Sequence, residues 1–418
     1  VGTLLEQAEA HGMTLSRVPR PTDFQDGGGP AGDGDAVKTR PIALEDLLGR
    51  PQTRLDGGAM RALVAGRRVL ITGAGGTIGG ELARQIGALQ PATLTLLDSS
   101  EFNLYRIDQE LRSAMPTLDH AAVFADIRDA TALETVFART RPELVFHAAA
   151  LKHVPIAEAH ASEAVLTNVA GTRNVADVAR RHGVRAMVQI STDKAVNPTN
   201  VMGTTKRLAE SYCQALDVDA GADGTRYLTV RFGNVIGSTG SVVPLFQKQL
   251  AAGGPLTVTH PDMTRYFMTA REAVELVLQA SAMGLDAQSG TPPGGIFVLD
   301  MGEPVRIVDL ARQMIRLAGK RPDEDIAIEF VGPRPGEKLF EELFHSGEPL
   351  VRTAHHGIRL ARPRAGDVET VRHAIDAIAA LAETHDDDTV RQRLHALVPE
   401  FQTASAAPSG DNHAAAAH

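Results

Sequence analysis

One cysteine, no tryptophan and only 4% aromatic residues in a chain of 418 close off several possibilities at once. Cys213 alone can form no internal disulfide and has no second thiol for a metal cluster. A reducing compartment is therefore the simple reading, with Cys213 filling space in a helix core. No stretch approaches the roughly 18 apolar residues needed to cross a bilayer, and no charged-then-apolar leader opens the chain. No block of Lys and Arg interrupts a formal charge of −9, which argues against nucleic acid as a partner. What is present, 43% hydrophobic and 22% charged residues, fits a globular protein with two domains or one large one with extensions. The chain opens on Val1 rather than Met and reads as a fragment of a longer parent.

Residues 1–60 read as an N-terminal remnant followed by a flexible linker. Residues 25–36 are too rich in Gly and Asp to bury a core, and 41-PIALEDLLGRP-51 offers a small apolar patch that docks on the main body. Residues 366–401 read as C-terminal helices, and 402–418 as a disordered low-complexity tail. Between these, apolar strands alternate with helical patterns, which predicts an α/β fold with a parallel sheet covered on both faces. The strand candidates are 68–73, 93–98, 121–126, 143–149, 185–191 and 226–232, with helices beginning near Gly76, Ser100, Ala130, Ser162 and Gly203. This places a nucleotide-binding domain at 61–235. A smaller, substrate-facing lobe takes most of 236–365, with some return of chain to the first domain.

The segment 69-VLITGAGGTIGGELARQI-86 runs from a strand through glycines into an amphipathic helix. Gly73, Gly76 and Gly79 leave room for a tight turn and for a pyrophosphate against the helix N-terminus, with Thr77 and Ile78 in its first turn. Asp98 ends the next strand about 20 residues further on, where a carboxylate hydrogen-bonds ribose hydroxyls and repels a 2′-phosphate. NAD is therefore expected rather than NADP. Asp126, followed by Ile127, ends the third strand and reads equally as an adenine contact or a turn residue.

The glycine spacing, 147-HAAALKHVP-155 and a Lys closing a YxxxK-like motif resemble the extended short-chain dehydrogenase/reductases. More narrowly, 98-DSSEFNLY-105, 191-STDKAVNPTNVMGTTKRLAE-210, 262-DMTRYFM-268 and 334-RPGEKLFEEL-343 resemble the bacterial nucleotide-sugar 4,6-dehydratases of polysaccharide biosynthesis. Within these the match is to the large, membrane-anchored subgroup acting on UDP-N-acetylglucosamine, in which methionine replaces the tyrosine, as Met202 does here. The resemblance implies a Rossmann-like doubly wound sheet of about seven strands, a tightly held NAD and a UDP-sugar in the cleft. It also implies a homo-oligomer, and a parent anchored at the cytoplasmic face of a bacterial inner membrane through a missing N-terminal region, this chain itself being cytoplasmic.

Carried residue by residue, the resemblance makes Asp193 the acid and Lys194 the base of a water elimination. Lys206 and Thr192 stand beside the nicotinamide ribose and the sugar, and Met202 is an apolar spacer or a plain core methionine. Asn103, Ala148, Ala149 and Phe232 join the cofactor set. Lys152, Asn234, Ser241, Val242, Arg265, Arg334 and Glu337 form the substrate set, with the two arginines suited to a diphosphate and no metal expected. The chemistry asks for a protonated Asp193 and a neutral Lys194, and burial favours both. Their charged groups are thus expected not to face each other in the substrate complex. The acceptor of the C4 hydroxyl proton is left between Thr192 relaying to water and Asp193 starting as a carboxylate. An NAD-dependent 4-epimerase, a catalytically silent NAD sensor and a scaffold for glycan assembly are the alternatives.

Overall fold

In the computed structural model the described residues are 55–221, 224–286, 289–345, 350–362 and 366–401, with a few isolated positions before residue 55. The expected remnant and linker up to residue 54, and the expected tail at 402–418, lie outside them apart from those positions.

Nine strands form the main sheet, and they follow the hydrophobic runs closely. These are β1 (Arg68–Thr72), β2 (Thr93–Asp98), β3 (His120–Phe124), β4 (Leu144–His147), β5 (Ala186–Thr192), β6 (Arg226–Phe232), β7 (Ile296–Leu299), β8 (Leu350–Arg352) and β9 (Ile358–Ala361). Their order is β8-β9-β7-β6-β5-β4-β1-β2-β3, parallel from β3 to β7, with β9 and β8 added antiparallel at the edge. The resemblance implied about seven strands, and the parallel run has that number. The extra pair comes from chain that crosses the smaller lobe and returns, so no local pattern announces it.

Helices α1 (Thr77–Ala88), α2 (Glu101–Ala114), α3 (Ala130–Thr140), α4 (Thr172–Arg181) and α5 (Val201–Asp219) alternate with the strands. Several start on side chains that satisfy a first-turn N–H: Ser100 caps α2, Asp129 caps α3 and Asn200 caps α5. Because these strands run parallel, the loops that follow β1, β2, β4, β5 and β6 lie along one edge of the sheet, where a doubly wound fold binds its ligands.

A second, smaller apolar core joins α6 (Val242–Ala251), Leu256, Val258, Met263 and Phe267 to the buried face of a later helix, α8 (Ile307–Leu317). The intervening α7 (Ala270–Leu285) packs instead on α1 beside the main sheet. Helices α9 (Val368–Ala382) and α10 (Asp387–Leu397) bury Ile375, Ile378, Val390 and Leu394 in the core cluster that also holds Met202, Cys213 and Leu216 of α5. Among the described residues no helix is long and apolar enough to cross a membrane.

Candidate active site

At the end of β1 the chain turns back at Gly73, whose φ of +67° falls in the left-handed region. A Cβ there would lie 2.6 Å from the Ala149 nitrogen, and one at Gly79 would overlap the Gly73 carbonyl oxygen. The turn is therefore open to backbone approach only because these positions carry no side chain. Gly76 caps α1, with Thr77 and Ile78 in its first turn, and Thr77 Oγ1 accepts from the Thr239 N–H at 3.4 Å. Asp98 closes β2 with one oxygen accepting from Gly75 N–H at 2.9 Å and the other from Ser100 N–H at 2.8 Å. Gly75 is a member of this turn that the trio spacing passed over. A Cβ on it would sit 2.5 Å from that of Asn103, on α2. Ala148 and Ala149 follow β4, Ile127 is buried beyond β3 and Phe232 is buried at the end of β6. Asp126 is taken by Arg128, which binds it through both backbone and guanidinium, the nearest contact being 2.7 Å. That is the turn role weighed above, and it ties up the carboxylate.

The central motif sits where β5 runs into a short 3-10 turn, Asp193–Ala195, and then into α5. Gly203 lets the helix close on this turn, since a Cβ there would overlap the Lys194 carbonyl oxygen. Asp193 is completely buried; its Oδ1 accepts from Thr192 Oγ1 at 2.8 Å and from Lys194 Nζ at 3.0 Å, while Oδ2 has no partner. Lys194 Nζ also donates to Asn234 Oδ1 at 2.8 Å.

One expectation needs correcting for the ligand-free site. Burial works to depress Lys194, but the carboxylates of Asp193 and Glu341 outweigh it and hold the ammonium above the ordinary lysine range. Lys194 Nζ lies 3.0 Å from Asp193 Oδ1 in this ligand-free site, whereas the expectation that the two groups turn apart concerns the substrate complex. Arg265 lines the cavity and also braces the loop beside it. It donates to the carbonyls of Thr264, Lys338 and Leu339 at 2.7, 2.8 and 3.3 Å, so it organises the loop that carries Glu337. Lys206 is buried and donates to the Ile190 carbonyl at 2.7 Å, and burial, against the pull of Glu210 and Cys213, brings its pKa down to about 8. Met202, one turn earlier, is buried in the apolar core.

Six of the seven expected substrate residues, Asn234, Ser241, Val242, Arg265, Arg334 and Glu337, line one cavity of about 210 Å³ together with Lys194. The seventh, Lys152, is exposed and outside its walls. Loop 334–341 forms one side of the cavity: Asn200 Nδ2 donates to the Gly336 carbonyl at 3.0 Å and Lys338 Nζ to the Val196 carbonyl at 2.9 Å. This docking carries in a residue that sequence reasoning missed. Glu341 lines the cavity, is 7% exposed, and lies 3.8 Å from both Lys194 Nζ and Arg265 Nε. Nothing in the sequence separates it from Glu342 beside it, because the segment is irregular and gives no period. Among the described residues no group of three His, Cys, Asp or Glu is arranged to hold a metal.

With this geometry in hand, the comparisons are specific. The family described as polysaccharide biosynthesis protein matches residues 69–363. The chain belongs to that family. It is 47% identical over 338 residues to the capsular polysaccharide biosynthesis protein CapD of Staphylococcus aureus, covering 81% of this chain and 54% of that one. The chain thus spans about half the length of that relative. The chain is also similar to an inverting UDP-N-acetylglucosamine 4,6-dehydratase of Campylobacter jejuni, 32% identical over 68% of this chain and 79% of its own, and to a UDP-glucose 4-epimerase of Rickettsia typhi, 34% identical over 71% and 85%. Among solved structures, Pen from Bacillus thuringiensis aligns with a TM-score of 0.64 at 32% identity, covering 72% of this chain and 88% of Pen. The extended short-chain dehydrogenase/reductase fold follows from these matches, and the family member described here keeps its Rossmann-like doubly wound sheet.

Proposed function

We propose that this chain is an NAD-dependent dehydratase acting on UDP-N-acetylglucosamine to give a UDP-4-keto-6-deoxy sugar for surface polysaccharide. The observation that carries the reading is the pair Asp193 and Lys194, held at the end of β5 with the lysine opening into the cavity, while Met202 offers no phenol. An acid and a base on neighbouring residues suit neighbouring sugar carbons. The C. jejuni relative named for that reaction supports the substrate.

The glycine turn fits a dinucleotide, because Gly73 and Gly79 let strand, turn and helix N-terminus pack where a Cβ would strike the backbone of Ala149 or Gly73, and Asp98 suits a ribose without a 2′-phosphate. When bound, the nicotinamide would take hydride from sugar C4 and return it to C6. The chain's own residues do the rest. Lys194, once neutral, removes the C5 proton that the new ketone has acidified. Asp193, having taken the C4 hydroxyl proton as that carbon is oxidised, gives it to the C6 hydroxyl, which leaves as water. Lys194 then returns its proton to C5, and the site is back where it began. Arg334, exposed at the cavity wall, is the guanidinium available to a diphosphate.

The R. typhi relative named as a 4-epimerase supports a second reading, epimerisation at C4. Incubation with UDP-N-acetylglucosamine separates the two. A dehydratase yields a ketone with strong alkaline absorbance and a mass lower by one water; an epimerase yields an isomer of unchanged mass. No product of either kind overturns both readings.

A further inference from the structure

Lys194 begins as an ammonium and must act as an amine, so its proton needs somewhere to go. We propose that Glu341 is that destination: it accepts the Lys194 proton and keeps it while Lys194 works as the base. The inference rests on the dehydratase reading for its purpose, and on the geometry of the cavity for its content.

The ammonium has three N–H bonds. Asp193 Oδ1 takes one and Asn234 Oδ1 takes another, and Glu341 Oε1 lies 3.8 Å from the nitrogen. Glu341 is almost fully enclosed, and its second oxygen, Oε2, has no hydrogen-bond partner. An enclosed carboxyl with an orphan oxygen is poorly suited to remain an anion. Burial, seconded by the negative charge of Asp193, accordingly pushes Glu341 up against the opposing pull of Lys194, Arg265 and Lys338. Asp193 is a poorer place to leave the proton, since the elimination needs that carboxyl free to exchange with the C6 hydroxyl. Arg265 faces Glu341 at 3.8 Å but is also paired with Glu337 at 3.5 Å, so neutral Glu341 does not strand it.

The transfer balances without solvent. An N–H bond of Lys194 breaks, an O–H bond of Glu341 forms, and the charge of the cluster is unchanged. Because the proton is moved and not lost, the fraction of neutral Lys194 is independent of pH while the two groups share one proton. Turnover is then flat through neutral pH. Without Glu341, Lys194 must release its proton to water, and kcat climbs about tenfold per pH unit until its own pKa is reached.

The test is the kcat–pH profile of the wild type, Glu341→Gln and Glu341→Asp with UDP-N-acetylglucosamine. The proposal expects a plateau, a rising limb of about tenfold per unit, and a lower plateau respectively. A wild-type rate that itself rises through neutral pH overturns it, as does a Glu341→Gln profile lowered in height but unchanged in shape, which is what a purely structural glutamate would give. A second readout needs no turnover. With UDP bound, the rate at which an amine-acylating reagent modifies Lys194, followed by peptide mass spectrometry, is flat with pH in the wild type and rises with pH in Glu341→Gln. If the enzyme makes no ketone but the labelling behaves in this way, the dehydratase reading fails and the proton-sharing pair stands. If ketone forms and both profiles keep one shape, the reverse holds.

Discussion

Two clusters of buried charge lie one strand apart, and they are built to opposite rules. In the first, Arg231 of β6 and Glu210 of α5 are 1% and 0% exposed, with paired hydrogen bonds of 2.8 and 2.7 Å. Ser191 adds a 2.6 Å bond to the same carboxylate, and Arg207 stands 3.7 Å away. Glu210 is held below the usual carboxylate range although burial alone would raise it, because Arg231 and its neighbours prevail. In the second cluster, Asp193 Oδ2 and Glu341 Oε2 have no partner, and one lysine stands between two carboxylates. Complete satisfaction locks a charge in one protonation state. Incomplete satisfaction leaves it able to change, which is what acid–base chemistry requires.

The largest expected effect breaks the second cluster. Lys194→Met should lower kcat by about 10²–10⁴-fold, the usual contribution of a positioned acid or base, measured as ketone formed per mole of folded enzyme. Its melting temperature should fall as well, because completely buried Asp193 loses its cationic partner, so the turnover figure is taken per folded molecule. A variant that loses turnover only in proportion to lost folded protein would make Lys194 structural, and the contrast between the clusters would vanish.

Breaking the first cluster should cost stability and spare turnover. Glu210→Gln leaves Arg231 without its anionic partner in a dry interior and is expected to cost about 3–5 kcal/mol of stability. In a chain of this size that is a fall in melting temperature on the order of 10 °C, with kcat per folded molecule little changed. Glu341→Gln, an identical chemical change in the other cluster, should move stability by no more than about 1 kcal/mol. Equal losses from the two glutamates would show that both are structural.

How much of this was legible in the sequence differs between the clusters and the sheet. The first six strands could be read from apolar runs, because all but the exposed edge strand β3 are buried nearly throughout and so have to be apolar. The antiparallel pair β8 and β9 could not, since it forms from chain far along the sequence whose partner, β7, is set by tertiary return. Asp193, Lys194 and the glycine turn were legible because each lies in a contiguous motif. Glu341 was not, because its burial depends on Arg265 and Asn200 gripping a loop with no period of its own. The neutral Lys194 that the chemistry asks for is not what the ligand-free site holds, because Asp193, seconded by Glu341, outweighs burial.

A third comparison concerns the phosphate turn. Gly79→Ala would set a methyl group against the Gly73 carbonyl, where nothing flexible can yield. Overpacking of this kind costs about 1–3 kcal/mol. Weaker binding of NAD, read by calorimetry, is expected, whereas Gly80→Ala meets nothing closer than 3.5 Å and should bind normally. Equal affinities would remove the turn from the cofactor site.

The smallest effect tests Lys206, which lies between the two clusters and obeys neither rule fully. Its pKa falls from 10.5 unfolded to about 8 folded, chiefly by burial. Between those values the unfolded chain binds more protons than the folded one, so stability must rise with pH across that window. Below about pH 8 the buried charge is carried at full cost; as pH climbs toward 10.5 the cost is relieved. The slope attributable to this group approaches about 1.4 kcal/mol per pH unit at most. Cys213, pushed up by burial, pulls the other way once unfolded thiols ionise, so the useful quantity is the difference between wild type and Lys206→Met in urea melts at pH 8, 9 and 10. The wild type should gain on the variant with each step. A constant gap would mean that the ammonium, despite its bond to the Ile190 carbonyl, reaches enough water to titrate as an ordinary lysine, and its place with the catalytic groups would need another basis.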